Sequence, residues 1–230
     1  MVICNDLMEE ITNMLSEFVT ENKKTQIEKV LDERTRHLSV VLEDIYQPQN
    51  ASAIVRTCDC FGIQDLHIIE KENQYSINPK VVMGASKWVD LYSYCIPDIN
   101  NTISCVTNLK QKGYRIVATT PDANCKPINE LNLNEKVALV FGTEQTGVSN
   151  ELLQMADEKV TIPMYGFTES FNISVSAAVS LYTITEKLRQ SSICWKLSKE
   201  EKNELRLDWY KKIVKRSDLI IEEYIQQKAK

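Results

Sequence analysis

Histidine is almost absent from this chain: His37 and His67 are the only two in 230 residues. The seven cysteines include no C-x-x-C pair, so there is little from which to build a zinc site, and no metal is expected. The cysteines are odd in number and scattered. Cys58 and Cys60 lie two apart on a segment that reads as a helix, so they point away from each other. Reduced thiols, and with them a cytoplasmic protein, are the expectation. No apolar run approaches the length of a membrane span. Met1 to Thr20 carries acids where a signal peptide needs bases and a long apolar centre. A soluble chain with no membrane segment is therefore predicted.

Phosphate-binding signatures are missing as well. A dinucleotide site needs G-x-G-x-x-G after the first strand, where this chain has Gln47-Pro48-Gln49-Asn50. A phosphate loop needs Gly-Lys-Ser/Thr, and Gly142 to Gly147 contains no lysine. There is no nucleophile elbow and no Ser-His-Asp set. Acids outnumber bases, 32 to 27, and the net charge of -5 argues against a general nucleic-acid surface. The charge is uneven, however. From Lys187 to Arg216 there are ten bases against four acids, Glu200, Glu201, Glu204 and Asp208. A local basic surface and a solvated helix laced with i,i+4 pairs both fit that pattern.

What is present organises around Lys136 to Ser180. The apolar run Val137 to Phe141 suits a buried strand, and Gly142 to Gly147 turns the chain sharply after it. A short helix from about Ser149, a strand Lys159 to Pro163, a polar loop and a small-residue helix from near Asn172 to Gln190 complete the stretch. Two strand ends thus feed two polar loops at the carboxyl edge of a sheet, where open α/β folds place ligands.

Upstream, residues 5 to 33 read as helical. Strands are expected at Ser39 to Ile45, Leu66 to Ile69, Trp88 to Tyr94 (an edge strand) and Tyr114 to Thr119. Helices are expected at Ala51 to Phe61, capped by Asn50 and closed by Gly62, at Val81 to Lys87, and at Ile99 to Gln111. Ser198 onward to Gln227 reads as amphipathic helix. The fold class is α/β, a parallel sheet flanked by helices, with N- and C-terminal helical extensions. The expected domains are 1–37, 38–190 and 191–230.

Three segments carry a resemblance. Asn50-Ala51-Ser52-Ala53-Ile54-Val55-Arg56-Thr57, Phe141 to Val148, and Ile162-Pro163-Met164 with Ser170 to Ala178 resemble, in order, the three motifs of the SpoU (SPOUT-class) 2'-O-ribose methyltransferases. The flanks, Ile27 to Glu43 and Leu188 to Tyr210, resemble the branch acting on a tRNA guanosine. The resemblance implies a C-terminal trefoil knot, S-adenosylmethionine as cofactor, tRNA as partner and a homodimer whose site draws on both subunits. It implies Arg56 as the residue acting on the 2'-hydroxyl, with Asn50, Glu144, Ser170 and Asn172 in the catalytic pocket. It also implies cofactor contacts at Thr119, Gly142, Ile162 and Phe171, where leucine is more usual at the last. Taken as residues alone, Arg56 is a helix-surface base in an ion pair, Asn50, Ser170 and Asn172 are helix-capping residues, and Glu144 is a turn acid. Ribosomal RNA or another tRNA nucleotide as substrate, and a catalytically silent RNA-binding module, are the alternatives.

Overall fold

The computed structural model describes residues 5–228 and divides into two compact units, one from Thr35 to Trp195, the other from the segments before Thr35 and after Trp195. The larger unit is built on seven parallel strands: β1 (Leu38–Glu43), β2 (Asp65–Ile69), β3 (Asp90–Tyr94), β4 (Tyr114–Thr119), β5 (Lys126–Pro127), β6 (Lys136–Phe141) and β7 (Glu158–Thr161). Their order across the sheet is β3-β2-β1-β6-β4-β7-β5. As expected, β3 is an edge strand. The two-residue β5 has no counterpart in the sequence reading, because Lys126-Pro127 is too short to carry a period and proline is confined to such edges.

Strands of a parallel sheet are covered on both faces and therefore read as continuous apolar runs. All six residues of β1 are buried, and five of the six in β6. Alternation divides them between two cores. Val40, Leu42, Leu139 and Phe141 face one core with residues of α3 (Pro48–Phe61) and of the long helix Ile173–Arg189. Val41, Ala138 and Val140 face the other, with residues of the helices Asn101–Gln111 and Asn150–Met155. Between them in the chain, Pro79–Val82 forms α4, so the later helices are α5 (Asn101–Gln111), α6 (Asn150–Met155) and α7 (Ile173–Arg189). The expected helix Val81 to Lys87 is instead α4 and a separate 3-10 turn, Ala85–Lys87, divided by Met83 and Gly84 at φ 49° and 83°.

The expected cap at Asn50 is a correction. Helix α3 begins at Pro48, whose fixed φ suits the first helical position, with Gln47 as a cap lacking a side-chain bond. Asn50 is then inside the first turn, and its amide is free for other partners. Gly62 does close the helix, at φ 76°.

The smaller unit holds α1 (Asn5–Ser16), α2 (Glu21–Leu31), α8 (Lys199–Ile213) and α9 (Ser217–Lys228). Ile11, Leu15, Leu31, Leu205 and Trp209 are buried in it. Ser198 and Glu201 form a reciprocal capping box that fixes the start of α8. Several of the bases singled out in the sequence are paired within this unit: Lys202 with Asp32, Arg206 with Glu28, and Lys212 with Asp208. Among the described residues, Lys199, Lys211, Lys215 and Arg216 form no ion pair.

Candidate active site

The sheet's strand order reverses at β1. From there β2 and β3 run to one side, and β6 lies on the other. A crevice at the carboxyl ends of such neighbours is the usual ligand position in open α/β sheets. The loop after β1 leads into α3 and Asn50, and the loop after β6 carries Glu144. Across this gap Asn50 Nδ2 donates to Glu144 Oε1 at 2.5 Å. Asn172 Nδ2 donates in turn to Asn50 Oδ1 at 3.3 Å. Asn172 also caps α7, its Oδ1 accepting from the Ser174 backbone N–H at 2.9 Å and from Ser174 Oγ at 2.6 Å. Asn172 thus starts a helix and anchors a polar chain that ends on a carboxylate.

The loop holding Glu144 takes its shape from local contacts. Thr143 and Gly147 exchange backbone hydrogen bonds at 3.0 and 3.1 Å, and the Thr143 hydroxyl accepts from the Thr146 N–H at 3.0 Å. Gly147 sits at φ 70°, a conformation that favours glycine. Gly142 is required by space instead, since a Cβ there would lie 2.1 Å from the Gly147 carbonyl carbon and oxygen. The far end of the loop is tied to a buried acid that the sequence reading did not single out. Glu43, only 2% exposed, accepts from the Ser149 N–H and hydroxyl at 2.8 and 2.7 Å and pairs with Lys71 at 2.8 Å. A carboxylate at the end of an otherwise apolar strand, in Leu38–Glu43, was the available signal.

Beside the loop lies a cavity of about 300 Å³. Thr119, Gly142, Ile162 and Phe171 all line it, as do Glu144 and Ser170. Its buried wall is mostly apolar, from Phe141, Val160, Ile128 and Ile173. Ile128 comes from the turn after β5, which is how the missed strand contributes. The Thr119 hydroxyl is spent on the Val140 carbonyl at 2.8 Å. Asn50 and Asn172 stand behind Glu144 without lining the cavity. Arg56 is not brought to it: its side chain is exposed on α3, and among the described residues it forms no ion pair or hydrogen bond. Neither histidine lines the cavity. His37 Nε2 is 2.7 Å from the Leu133 carbonyl, and burial pushes the His67 imidazole down to about 4.

The SpoU rRNA Methylase family matches residues 37–182, which span all three motifs, the cavity and the Asn50–Glu144–Asn172 chain. The chain belongs to the SpoU methylase family. Among curated relatives, the tRNA (guanosine(18)-2'-O)-methyltransferase of Borreliella burgdorferi is 45% identical over 216 residues, covering 94% of this chain and 96% of that one. The enzyme of the same name from Thermus thermophilus is 36% identical, over 71% of this chain and 81% of its own. Among solved SpoU structures, the Aquifex aeolicus TrmH/SpoU tRNA modifying enzyme superposes with a TM-score of 0.75 at 31% identity, over 85% of this chain and 98% of that one. The seven-strand parallel sheet flanked by helices is thus the SpoU methyltransferase architecture. Among the described residues no group of His, Cys, Asp and Glu could hold a metal, and no helix is long and apolar enough to cross a membrane.

Proposed function

We propose that this chain transfers a methyl group from S-adenosylmethionine to the ribose 2'-hydroxyl of a guanosine in the D-loop of tRNA, acting as a cytoplasmic homodimer. The observation that carries the tRNA branch is the extent of the Borreliella similarity. It runs over 94% of the chain and so reaches the terminal segments outside the family match at 37–182.

The cavity fits the donor. A purine nucleoside bearing an amino acid needs an apolar slot with a polar rim and no phosphate cradle, which agrees with the absent glycine-rich fingerprints. Thr119, Gly142, Ile162 and Phe171 hold it largely through backbone, and Phe171, 44% exposed, offers an apolar side. When bound, S-adenosylmethionine supplies an electrophilic methyl on a sulfonium. Glu144, aimed by Asn50 and Asn172, keeps Oε2 for a donor on the substrate. Ser170 stands beside it. Arg56 cannot be the base, since a guanidinium stays protonated to about pH 12. It grips a neighbouring phosphate and orients the 2'-hydroxyl, whose proton leaves through that phosphate.

Two features support the second copy. Helix α7 exposes Val175, Val179 and Tyr182 at spacings of one helix face, an apolar stripe suited to an isologous contact. Arg56, which does not line its own cavity, then serves the partner's. The helical extensions, 1–37 and 191–230, are read as RNA-binding arms on the catalytic domain 38–190, using Lys199, Lys211, Lys215 and Arg216, with salt-sensitive affinity. The trefoil knot is part of the same reading. The expected result is labelled methyl transfer to an unmodified tRNA transcript and none to a transcript with 2'-deoxyguanosine in the D-loop. Equal labelling of both would reject the 2'-oxygen as acceptor.

A further inference from the structure

One hydroxyl in the cavity wall has no role in the chemistry above. Ser180 is 0% exposed, and its Oγ has no hydrogen-bond partner in the protein. Hydroxyls inside helices ordinarily return to a carbonyl one turn back. Thr183 and Thr185, on the same helix, do so, bonding the Val179 and Leu181 carbonyls at 2.8 and 2.7 Å. Ser180 does not, and lines the cavity instead. A buried hydroxyl left unpaired is destabilising, because its desolvation is not compensated. An alanine would avoid that cost on a helix face otherwise made of Ala177, Leu181 and Ile184, all buried.

Ser180 follows Ile173 and Ser176 at spacings that put all three on one side of α7, and all three line the cavity. The buried lining near them is apolar except for the hydroxyls of Thr161 and Ser180. The charged lining, Glu144 and Glu169, is on exposed loops. A zwitterionic amino-acid end would lose its hydration against the apolar wall, whereas a flat heteroaromatic base would not. The base edge carries ring-nitrogen acceptors and an exocyclic amine, and a rotatable hydroxyl can serve either.

We propose that Ser180 Oγ hydrogen-bonds the purine edge of the bound methyl donor and thereby sets which end of the donor enters the cavity. This rests on the cavity being the S-adenosylmethionine site. The test is calorimetry of wild-type and Ser180→Ala protein with S-adenosylhomocysteine and with 5'-methylthioadenosine, which lacks the amino-acid end, together with melting of the ligand-free proteins. Ser180→Ala weakens both ligands by a similar factor, roughly tenfold. Ligand-free Ser180→Ala melts higher, by about 2–4 °C, because an unpaired buried group is gone. Unchanged affinities overturn the proposal, as does a loss confined to S-adenosylhomocysteine, which would place the hydroxyl at the amino-acid end. A lower melting temperature accompanying weaker binding would assign Ser180 to packing alone. Failure of the wild type to bind either ligand would sink the donor reading itself and this inference with it.

Discussion

Arg56→Ala lowers kcat for tRNA methylation at least about a thousandfold while leaving S-adenosylhomocysteine affinity and melting temperature near the wild-type values. The separation follows from where the side chain sits. Arg56 is exposed on α3, makes no ion pair among the described residues, and does not line the cavity, so truncation disturbs neither packing nor the cofactor wall. What it removes is a fixed cation and a planar set of donors for a phosphate. Arg56→Lys recovers little, since an ammonium lacks the fork. If Arg56 serves the partner's cavity, random mixing with an inactive Asn172→Ala chain restores roughly a quarter of wild-type activity, because one site in each mixed dimer is then intact. Lost cofactor binding in Arg56→Ala would instead make the residue structural.

Gly142→Ala abolishes cofactor binding and destabilises the protein by about 3 kcal/mol or more. The added Cβ would stand 2.1 Å from Gly147 carbonyl atoms and 2.2 Å from the Val148 nitrogen. All three are backbone, so no side chain can swing aside. Relief requires breaking the paired hydrogen bonds between Thr143 and Gly147 that shape the cavity rim. Gly166→Ala, on the loop before α7, is the matched control: a Cβ there meets nothing within 4 Å, and stability stays within about 0.5 kcal/mol. Isothermal calorimetry and chemical denaturation of the two variants make the comparison. Wild-type affinity in Gly142→Ala would show that the loop does not shape the binding site.

The central strands were legible because β1, β4 and β6 are buried on both faces and so appear as apolar runs. Loop ends at their carboxyl edge pointed to the site before any contact was known. Asn50 shows where local rules stop. Asparagine before a helical pattern reads as a cap, but Pro48 is pre-set for the first helical position and moves the start upstream. That shift turns a capping amide into the link to Glu144. Ser180 was illegible for a different reason. Its spacing matches the core residues Ala177, Leu181 and Ile184, and what distinguishes it is a missing partner, which spacing cannot reveal. Glu43 lay in plain view as an acid at the end of an apolar strand, yet its tie to Ser149 joins residues 106 apart in the chain.

The most direct test of the central claim is to map ribose methylation after incubating the protein and S-adenosylmethionine with unmodified tRNA transcripts and, separately, with ribosomal RNA. The account predicts one methylated nucleotide, a guanosine in the D-loop of tRNA, and none in ribosomal RNA. Methylation confined to ribosomal RNA or to another tRNA position would keep the chemistry and contradict the substrate. No methylation of either RNA would contradict the enzyme reading and leave an RNA-binding module in its place.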